Sequence, residues 1–313
     1  MALDKKFINE FVNVTSYAAL ASYYLVGKKD KIAADKAAVD SMRSKLNKIN
    51  FKGKVVIGEG ELDEAPMLFI GEKVGNGAKP ECDIAVDPLE GTNFAANNLP
   101  GALSVMAVAE KNNLFYAPET YMEKISSKVN ENGVIDLDYT VKKNIHNLSD
   151  YLNKEPSNLT ACILDRPRHQ KIVDELKKLN VNIKFISDGD VSGALLVTEQ
   201  KYNVDIFLGI GGGPEGVLAA SALDAFNCGF QGRFLFETKQ DKIRAKKMGI
   251  DDLNKKYSLN EIISGDSIFC ATGITSGDLV SGIKINGDEF ISETLVTHKA
   301  SDLKKILKLK KKI

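Results

Sequence analysis

Thr160-Ala-Cys-Ile-Leu164, Ile183-Lys-Phe-Ile186 and Val204-Asp-Ile-Phe-Leu208 are three short apolar runs within one stretch of chain. Each is too short for a helix. Each leads through a polar or glycine-rich loop into a segment with helical periodicity, over about 167–179, from about 191, and from Pro214 to about Phe226. Three strand–loop–helix units in succession are the pattern of a parallel, layered α/β region. Working outward, residues 4–26 and 34–49 read as helices, the second with Ala34, Ala37, Ala38, Met42, Leu46 and Ile49 at three- and four-residue spacing. Val55 to Ile57 and Ile84 to Val86 read as strands, the latter stopping at Asp87-Pro88. Leu103 to Ala109 and Leu114 to Ala117 read as a hairpin around Asn112-Asn113. The polar stretch Asn153 to Asn158 suggests a division into an N-terminal lobe, 1–155, and a C-terminal lobe, 156–313, of one compact unit. Lys299 to Ile313 carries seven lysines and is expected to be a solvated amphipathic helix.

Composition narrows the function classes. The chain of 313 residues has 42 Lys plus Arg and 42 Asp plus Glu, a formal net charge of zero. That opposes a nucleic-acid-coating role, which needs a basic excess. Cys82, Cys162, Cys228 and Cys270 are widely spaced with no CxxC pair, so they read as reduced core residues rather than zinc or redox ligands. Three His make a His-rich metal site improbable, and no GxSxG or GxxxxGK[ST] string occurs. No apolar run approaches the ~20 residues of a membrane span. Tyr17 to Val26 comes nearest and is expected to be a core-packed helix, since Asp4 and Glu10 spoil the basic start of a signal peptide. The expectation is a cytoplasmic protein with neither membrane nor nucleic acid as partner.

Carboxylates collect where apolar strands end. The first short strand runs into Glu59 and Glu61, with Asp63 and Glu64 beyond, and the second into Asp87-Pro-Leu-Glu-Gly-Thr92. Strand ends are where open α/β sheets bind ligands. Turn chemistry alone explains either cluster, but together they suit a hard cation such as Mg2+ or Mn2+, which prefers oxygen ligands. Two carboxylates 4 Å apart repel by about 4 kcal/mol at an effective dielectric of 20. Gathering several therefore requires cations or protons. Thr92 puts a hydroxyl on the same loop, to orient an attacking water or to cap a helix.

Asp87-Pro-Leu-Glu-Gly-Thr92 after an apolar strand resembles the DP-[IL]-[DE]-G-[ST] signature of the lithium-sensitive, metal-dependent sugar phosphatases. Val56-Ile-Gly-Glu-Gly-Glu-Leu-Asp-Glu-Ala-Pro66 resembles more narrowly the class II bacterial fructose-1,6-bisphosphatases. So do Tyr121-Met-Glu-Lys124, Arg166-Pro-Arg-His169, Asp188-Gly-Asp190, Gly209-Ile-Gly-Gly-Gly-Pro-Glu-Gly216 and Ala271-Thr-Gly-Ile-Thr-Ser-Gly-Asp278. The likeness runs from about residue 4 to 300 with the motifs in order. It implies a layered α/β/α/β/α sandwich and hydrolysis of the 1-phosphate of fructose 1,6-bisphosphate in gluconeogenesis, extending to sedoheptulose 1,7-bisphosphate. It implies Mg2+ or Mn2+ as cofactor and a homodimer or homotetramer. The family's metal positions fall on Asp35, Glu59, Asp87, Glu90 and Glu215. Its substrate contacts fall on Glu90, Gly91, Thr92, Tyr121, Arg166, Pro167, Arg168, Asp188, Gly189, Asp190 and Gly212, with Thr92 as the catalytic hydroxyl and Asp63 or Asp35 as its relay. The chain departs from the family at Lys36, where Gly is frequent, and at Asn93, where Arg is common. The segment from Glu237 to Met248 is shorter than in many relatives.

Chemistry supports several of these positions independently. Two guanidinium forks at Arg166 and Arg168 suit a phosphate that is held rather than cleaved, though Pro167 equally suits a helix start. Asp188 and Asp190 can accept from sugar hydroxyls, or form a turn and cap. Gly211-Gly-Gly-Pro-Glu-Gly216 opens a helix, but Glu215 there would repel a phosphate unless it holds a cation. Three rivals follow from the same residues. Gly211, Gly213 and Gly216 with Glu237 match a dinucleotide-binding fingerprint. Asp188-Gly-Asp-Val-Ser192 mimics an aspartyl-nucleophile phosphatase. A non-catalytic sugar-phosphate binder is the third.

Overall fold

The computed structural model describes residues 3–58 and 68–313. Glu59 and Asp63 therefore lie outside the described residues. The chain forms two compact units, Met1–Tyr116 with Ile263–Ile313, and Ala117–Ile262.

The first unit begins with α1 (Phe7–Tyr23), α2 (Lys31–Leu46), β1 (Lys52–Ile57), β2 (Lys73–Val74), β3 (Glu81–Glu90), α3 (Thr92–Asn97) and β4 (Leu103–Glu110). The second unit holds β5 (Tyr121–Ser127), α4 (Val141–Leu152), β6 (Thr160–Leu164), α5 (Gln170–Lys178), β7 (Asn182–Ile186), α6 (Asp190–Leu195), β8 (Ile206–Gly212), α7 (Gly213–Ala225), β9 (Gly229–Leu235), α8 (Lys239–Lys247), β10 (Lys256–Ser258) and α9 (Leu259–Ile262). The chain then returns to the first unit with β11 (Ser267–Gly273), β12 (Lys284–Asn286), β13 (Glu289–His298) and β14 (Leu303–Lys312). Helices packed on two mixed sheets make this the expected α/β class. The expected division at 155/156 instead falls inside the second unit, because β11 pairs back onto β4 and brings β12–β14 into the first unit's sheet rather than extending the sheet of β6–β8.

In the first unit the sheet order is β12-β13-β11-β4-β3-β1-β2, with β14 on β13. α1 packs against this sheet through Phe7, Phe11, Val14 and Ala18, so the expected core helix covers Tyr17 to Tyr23, while Tyr24 to Val26 fall in the turn that follows it. No helix among the described residues is long and apolar enough to cross a membrane. All four cysteines are free and buried, as expected.

Three local expectations are corrected. β3 does not stop at Asp87 but continues through Pro88 to Glu90, with a register shift between Asp87, opposite Val105, and Glu90, opposite Leu103. Proline has no N–H for the ladder, and a bulge accommodates it by bending the strand. The hairpin at Asn112-Asn113 has no second strand: β4 pairs with β3 and β11, while Leu114 makes an isolated bridge to Ile263. The lysine-rich C-terminus is a strand, β14, paired along β13 from Leu303↔His298 to Lys312↔Glu289. Leu303, Leu307 and Leu309 turn towards the core while the lysines stay in solvent. Charged side chains on an edge strand oppose further edge-to-edge pairing.

The second sheet has the order β10-β9-β5-β8-β6-β7. β6 runs parallel to both β7 and β8, as the three strand–loop–helix units predict, and β5 lies antiparallel between β8 and β9. Its core gathers Ile125, Ile145, Leu148, Ala161, Leu176, Ile206 and Leu208.

Candidate active site

In the first unit, strand direction decides which loops meet. β1 and β3 are parallel neighbours, so the chain leaves β1 at Gly58 on the edge where β3 delivers Asp87 and Glu90. β4 is antiparallel to both β3 and β11, with Leu103 opposite Glu90 on one side and Gly273 on the other. The 271–278 motif therefore reaches the same edge. There Thr275 Oγ1 donates to Leu99 O at 2.8 Å and accepts from Ala102 N–H at 2.9 Å, tying down the loop after α3. Glu90 is buried and Asp87 half-buried. Gly91 follows with φ 78°, a left-handed turn that suits glycine, and swings the chain into α3. Gly91 is the N-cap and provides no side chain, so Thr92 stands at the first helical position and is not the cap. Asp35 sits half-buried on α2, which packs on β3 and α3.

In the second unit, one sheet edge collects the rest. β6, β7 and β8 are parallel, so their ends present Arg166-Pro167-Arg168, Asp188-Gly189-Asp190 and Gly212 on the same side. Tyr121 begins the antiparallel β5 directly opposite Gly212. Pro167 opens a 3-10 turn, and Gly189, with φ 83°, is the N-cap of α6 without a side-chain bond. Neither aspartate of the Asp188-Gly-Asp190 run caps the helix. Arg166 NH1 donates to Asp165 O at 3.0 Å and Ser187 O at 2.8 Å. Arg168 donates through Nε and NH2 to Ile210 O at 3.0 and 2.8 Å, and its guanidinium lies 4.9 Å from the centre of the Tyr121 ring.

Two residues at this edge carry no role in the sequence reading. Lys124, almost wholly buried, donates to Asp190 Oδ2 and, at 2.7 Å, to Gly212 O. His169, fully buried, accepts from Ile210 N–H at Nε2 (2.8 Å), so Nδ1 carries the proton and donates to Leu164 O at 2.7 Å. His169 thus pins the ends of β6 and β8 together beneath the arginines. Both residues stand within quoted motifs. A lysine alternating with Met122 and Ser126 on one strand face was the available signal.

Burial pushes the His169 imidazole below its ordinary value, with Arg168 adding to the effect. The linkage follows: the unfolded histidine gains its proton near pH 6.5 while the folded one resists it. The stabilisation is complete above about pH 6.5 and is lost as pH falls towards the folded value, at no more than about 1.4 kcal/mol per pH unit. The melting temperature should drop between pH 7 and 5, and His169→Gln should flatten that slope. A slope unchanged in the variant removes His169 as its source.

By residue type the carboxylates of each unit suit a divalent cation: Asp35, Asp87 and Glu90 in the first and Glu215 in the second offer oxygen, the donor class that hard cations prefer. Burial raises the Glu215 carboxyl above its ordinary value; Lys124 opposes that shift, and Asp190 and Asp188 add to it. A cation there would relieve the crowding of acids. Among the described residues, no three His, Cys, Asp or Glu side chains form a metal-holding group by themselves. A Cβ on Gly212 would overlap the Glu215 carboxylate, so this loop is filled by an acid. That opposes the dinucleotide reading, in which a pyrophosphate would lie there.

The chain matches the model of the bacterial, glpX-encoded fructose-1,6-bisphosphatases over residues 5–311. It is 43% identical over 301 residues to fructose-1,6-bisphosphatase 1 class 2 of Escherichia coli K12, covering 92% of this chain and 89% of that protein. It is 38% identical over 319 residues to the D-fructose 1,6-bisphosphatase class 2/sedoheptulose 1,7-bisphosphatase of Synechococcus sp. strain JA-3-3Ab, covering 94% and 92% of the two chains. The similarly named protein of Prochlorococcus marinus strain NATL1A is 40% identical over 308 residues, covering 94% of this chain and 92% of its own length. A solved extragenic suppressor from Pyrococcus furiosus covers 64% of this chain and 70% of its own at 14% identity and a TM-score of 0.33, too distant to bear on the fold. The motifs at both sheet edges and the near-full-length match together make this chain a member of the class II, glpX-type bacterial fructose-1,6-bisphosphatase family.

Proposed function

We propose that the enzyme hydrolyses the 1-phosphate of fructose 1,6-bisphosphate, giving fructose 6-phosphate and inorganic phosphate. Asp35, Glu59, Asp87, Glu90 and Glu215 would hold Mg2+ or Mn2+. When bound, such a cation polarises the phosphoryl oxygens and acidifies a water. Arg166 and Arg168 hold the distal 6-phosphate with permanently charged donors. Tyr121 and Pro167 wall that subsite, Gly189 turns the Asp188 and Asp190 carboxylates towards sugar hydroxyls, and Gly212 lets the substrate approach the strand end. Gly91 and Thr92 face the reacting phosphate, and the Thr92 hydroxyl orients the nucleophile with Asp63 or Asp35 accepting its proton.

The observation that carries this reading is the collection of Arg166, Arg168, Tyr121, Asp188 and Asp190 at one edge of one sheet. Anion-holding and hydroxyl-accepting groups side by side are what a sugar phosphate needs. Sedoheptulose 1,7-bisphosphate, longer by one hydroxylated carbon, presents the same two ends and is proposed as a second substrate. The setting is cytoplasmic gluconeogenesis, in a homodimer or homotetramer.

Phosphate release from both bisphosphates, with Mg2+, with Mn2+ and after chelation, tests the reading. Release with either cation, abolished by chelation and restored by added metal, is expected. No release from either substrate under any condition overturns it. The aspartyl-nucleophile rival separates by acid-quench trapping: it requires a covalent aspartyl-phosphate on the chain during turnover and abolition of turnover in Asp188→Asn but not in Thr92→Ala. No trapped phosphoenzyme and measurable turnover in Asp188→Asn are expected.

A further inference from the structure

We propose that Lys124 is a positioning residue of the sugar-recognition edge: it holds the Asp190 carboxylate by one oxygen and the Gly212 carbonyl beside it, so that Asp190 Oδ1 is left to accept from a hydroxyl of the bound sugar. This deepens the function proposed above and rests on the second unit's edge being the sugar-phosphate subsite.

The geometry begins with strand alternation. On β5, Met122, Lys124 and Ser126 share the face that packs on the helices: Ser126 Oγ donates to Ala194 O, and a Cβ on Gly216 of α7 would meet Met122 and Lys124. An ammonium at 1% exposure is costly unless its charge and protons are matched. Here both matches belong to the substrate edge, the Asp190 carboxylate at the start of α6 and the Gly212 carbonyl at the end of β8. Gly211 leaves room for this, because a Cβ there would overlap Asp190 Oδ2. Asp190 is 8% exposed, and its Oδ1 has no hydrogen-bond partner among the described residues. A buried carboxylate with one oxygen clamped and the other left without a partner is a pre-formed acceptor. Without Lys124, Asp190 faces Asp188 and Glu215 with no ammonium between them, and the carboxylate has reason to turn away. The loss then falls on ground-state binding of the sugar rather than on the chemistry at the phosphate.

Steady-state kinetics on fructose 1,6-bisphosphate at saturating Mg2+ test this. Lys124→Met should raise KM at least about tenfold while kcat changes less than about threefold. Asp190→Asn should raise KM comparably, and the double variant should exceed Asp190→Asn by less than about threefold, since one residue acts through the other. A fall in kcat at unchanged KM, or effects that multiply in the double variant, overturns the proposal. Should Lys124→Met fail to fold, the comparison of Asp190→Asn with the double variant still decides, because removing both charges leaves neither unpaired. A further tenfold rise in KM on adding Lys124→Met to Asp190→Asn overturns it there. Calorimetric binding of fructose 6-phosphate, expected to weaken about tenfold in Lys124→Met, keeps this outcome separate from failure of the phosphatase reading.

Discussion

Phosphate release falls at least about 100-fold when Thr92 becomes alanine, the scale of a lost transition-state group, while the melting temperature stays nearly constant. The two halves of that expectation have different origins. A threonine opening a short helix ordinarily acts as the N-cap, and its removal then costs ~1 kcal/mol. Here the cap is Gly91, held at φ 78° with no side-chain bond, and Thr92 is the first helical residue. Its hydroxyl is therefore not consumed in starting α3. Glu90→Ala should lose at least about 100-fold as well, because a buried carboxylate at the end of a bulged strand is aimed by the backbone and cannot be replaced by a neighbour. Thr92→Ser retains the hydroxyl and should recover most of the activity lost in Thr92→Ala. Near-normal turnover in Thr92→Ala or Glu90→Ala removes that residue from the catalytic centre.

Gly212→Ala raises the concentration of Mg2+ or Mn2+ needed for half-maximal activity by about 10–100-fold, the usual cost of disturbing the surroundings of a ligand. Gly212 has φ −68°, so alanine fits the backbone. The conflict is with the Glu215 carboxylate, which a Cβ would overlap. A carboxylate at the end of a flexible side chain can swing aside, so the fold survives and the acid is misplaced. A melting temperature within about 2–4 °C of the parent, the shift that 1 kcal/mol makes in a sizeable domain, accompanies the metal effect. A metal titration superimposable on the parent removes Glu215 from the cation's ligands.

The strand–loop–helix units of 160–226 were legible because each strand and helix there is specified by its own local periodicity. The parallel pairing of β6 with β7 and β8 followed from crossover helices, which return the chain to the same sheet edge. The C-terminus was illegible for the opposite reason. Leu303, Ile306, Leu307 and Leu309 among lysines satisfy a helical face almost as well as an edge strand, and only pairing with β13 chooses between them. The same holds for β4, whose partners β3 and β11 stand on either side of it, one far along the chain, so a local turn signal at Asn112-Asn113 misleads.

By itself the sequence determined the residue chemistry: carboxylates beyond β1 and at the end of β3, a hydroxyl at the start of the helix that follows, two arginines and two aspartates at later strand ends, and through them the family. Residue types in short motifs carry that information, because a carboxylate or guanidinium keeps its chemistry wherever it is placed. Only the tertiary structure decided how those groups are held. The positions of Lys124 and His169 beneath the loops depend on partners distant in sequence, Asp190 and Gly212 for the lysine and Ile210 for the histidine. No local pattern encodes such pairs; they exist only once the strands have set their register.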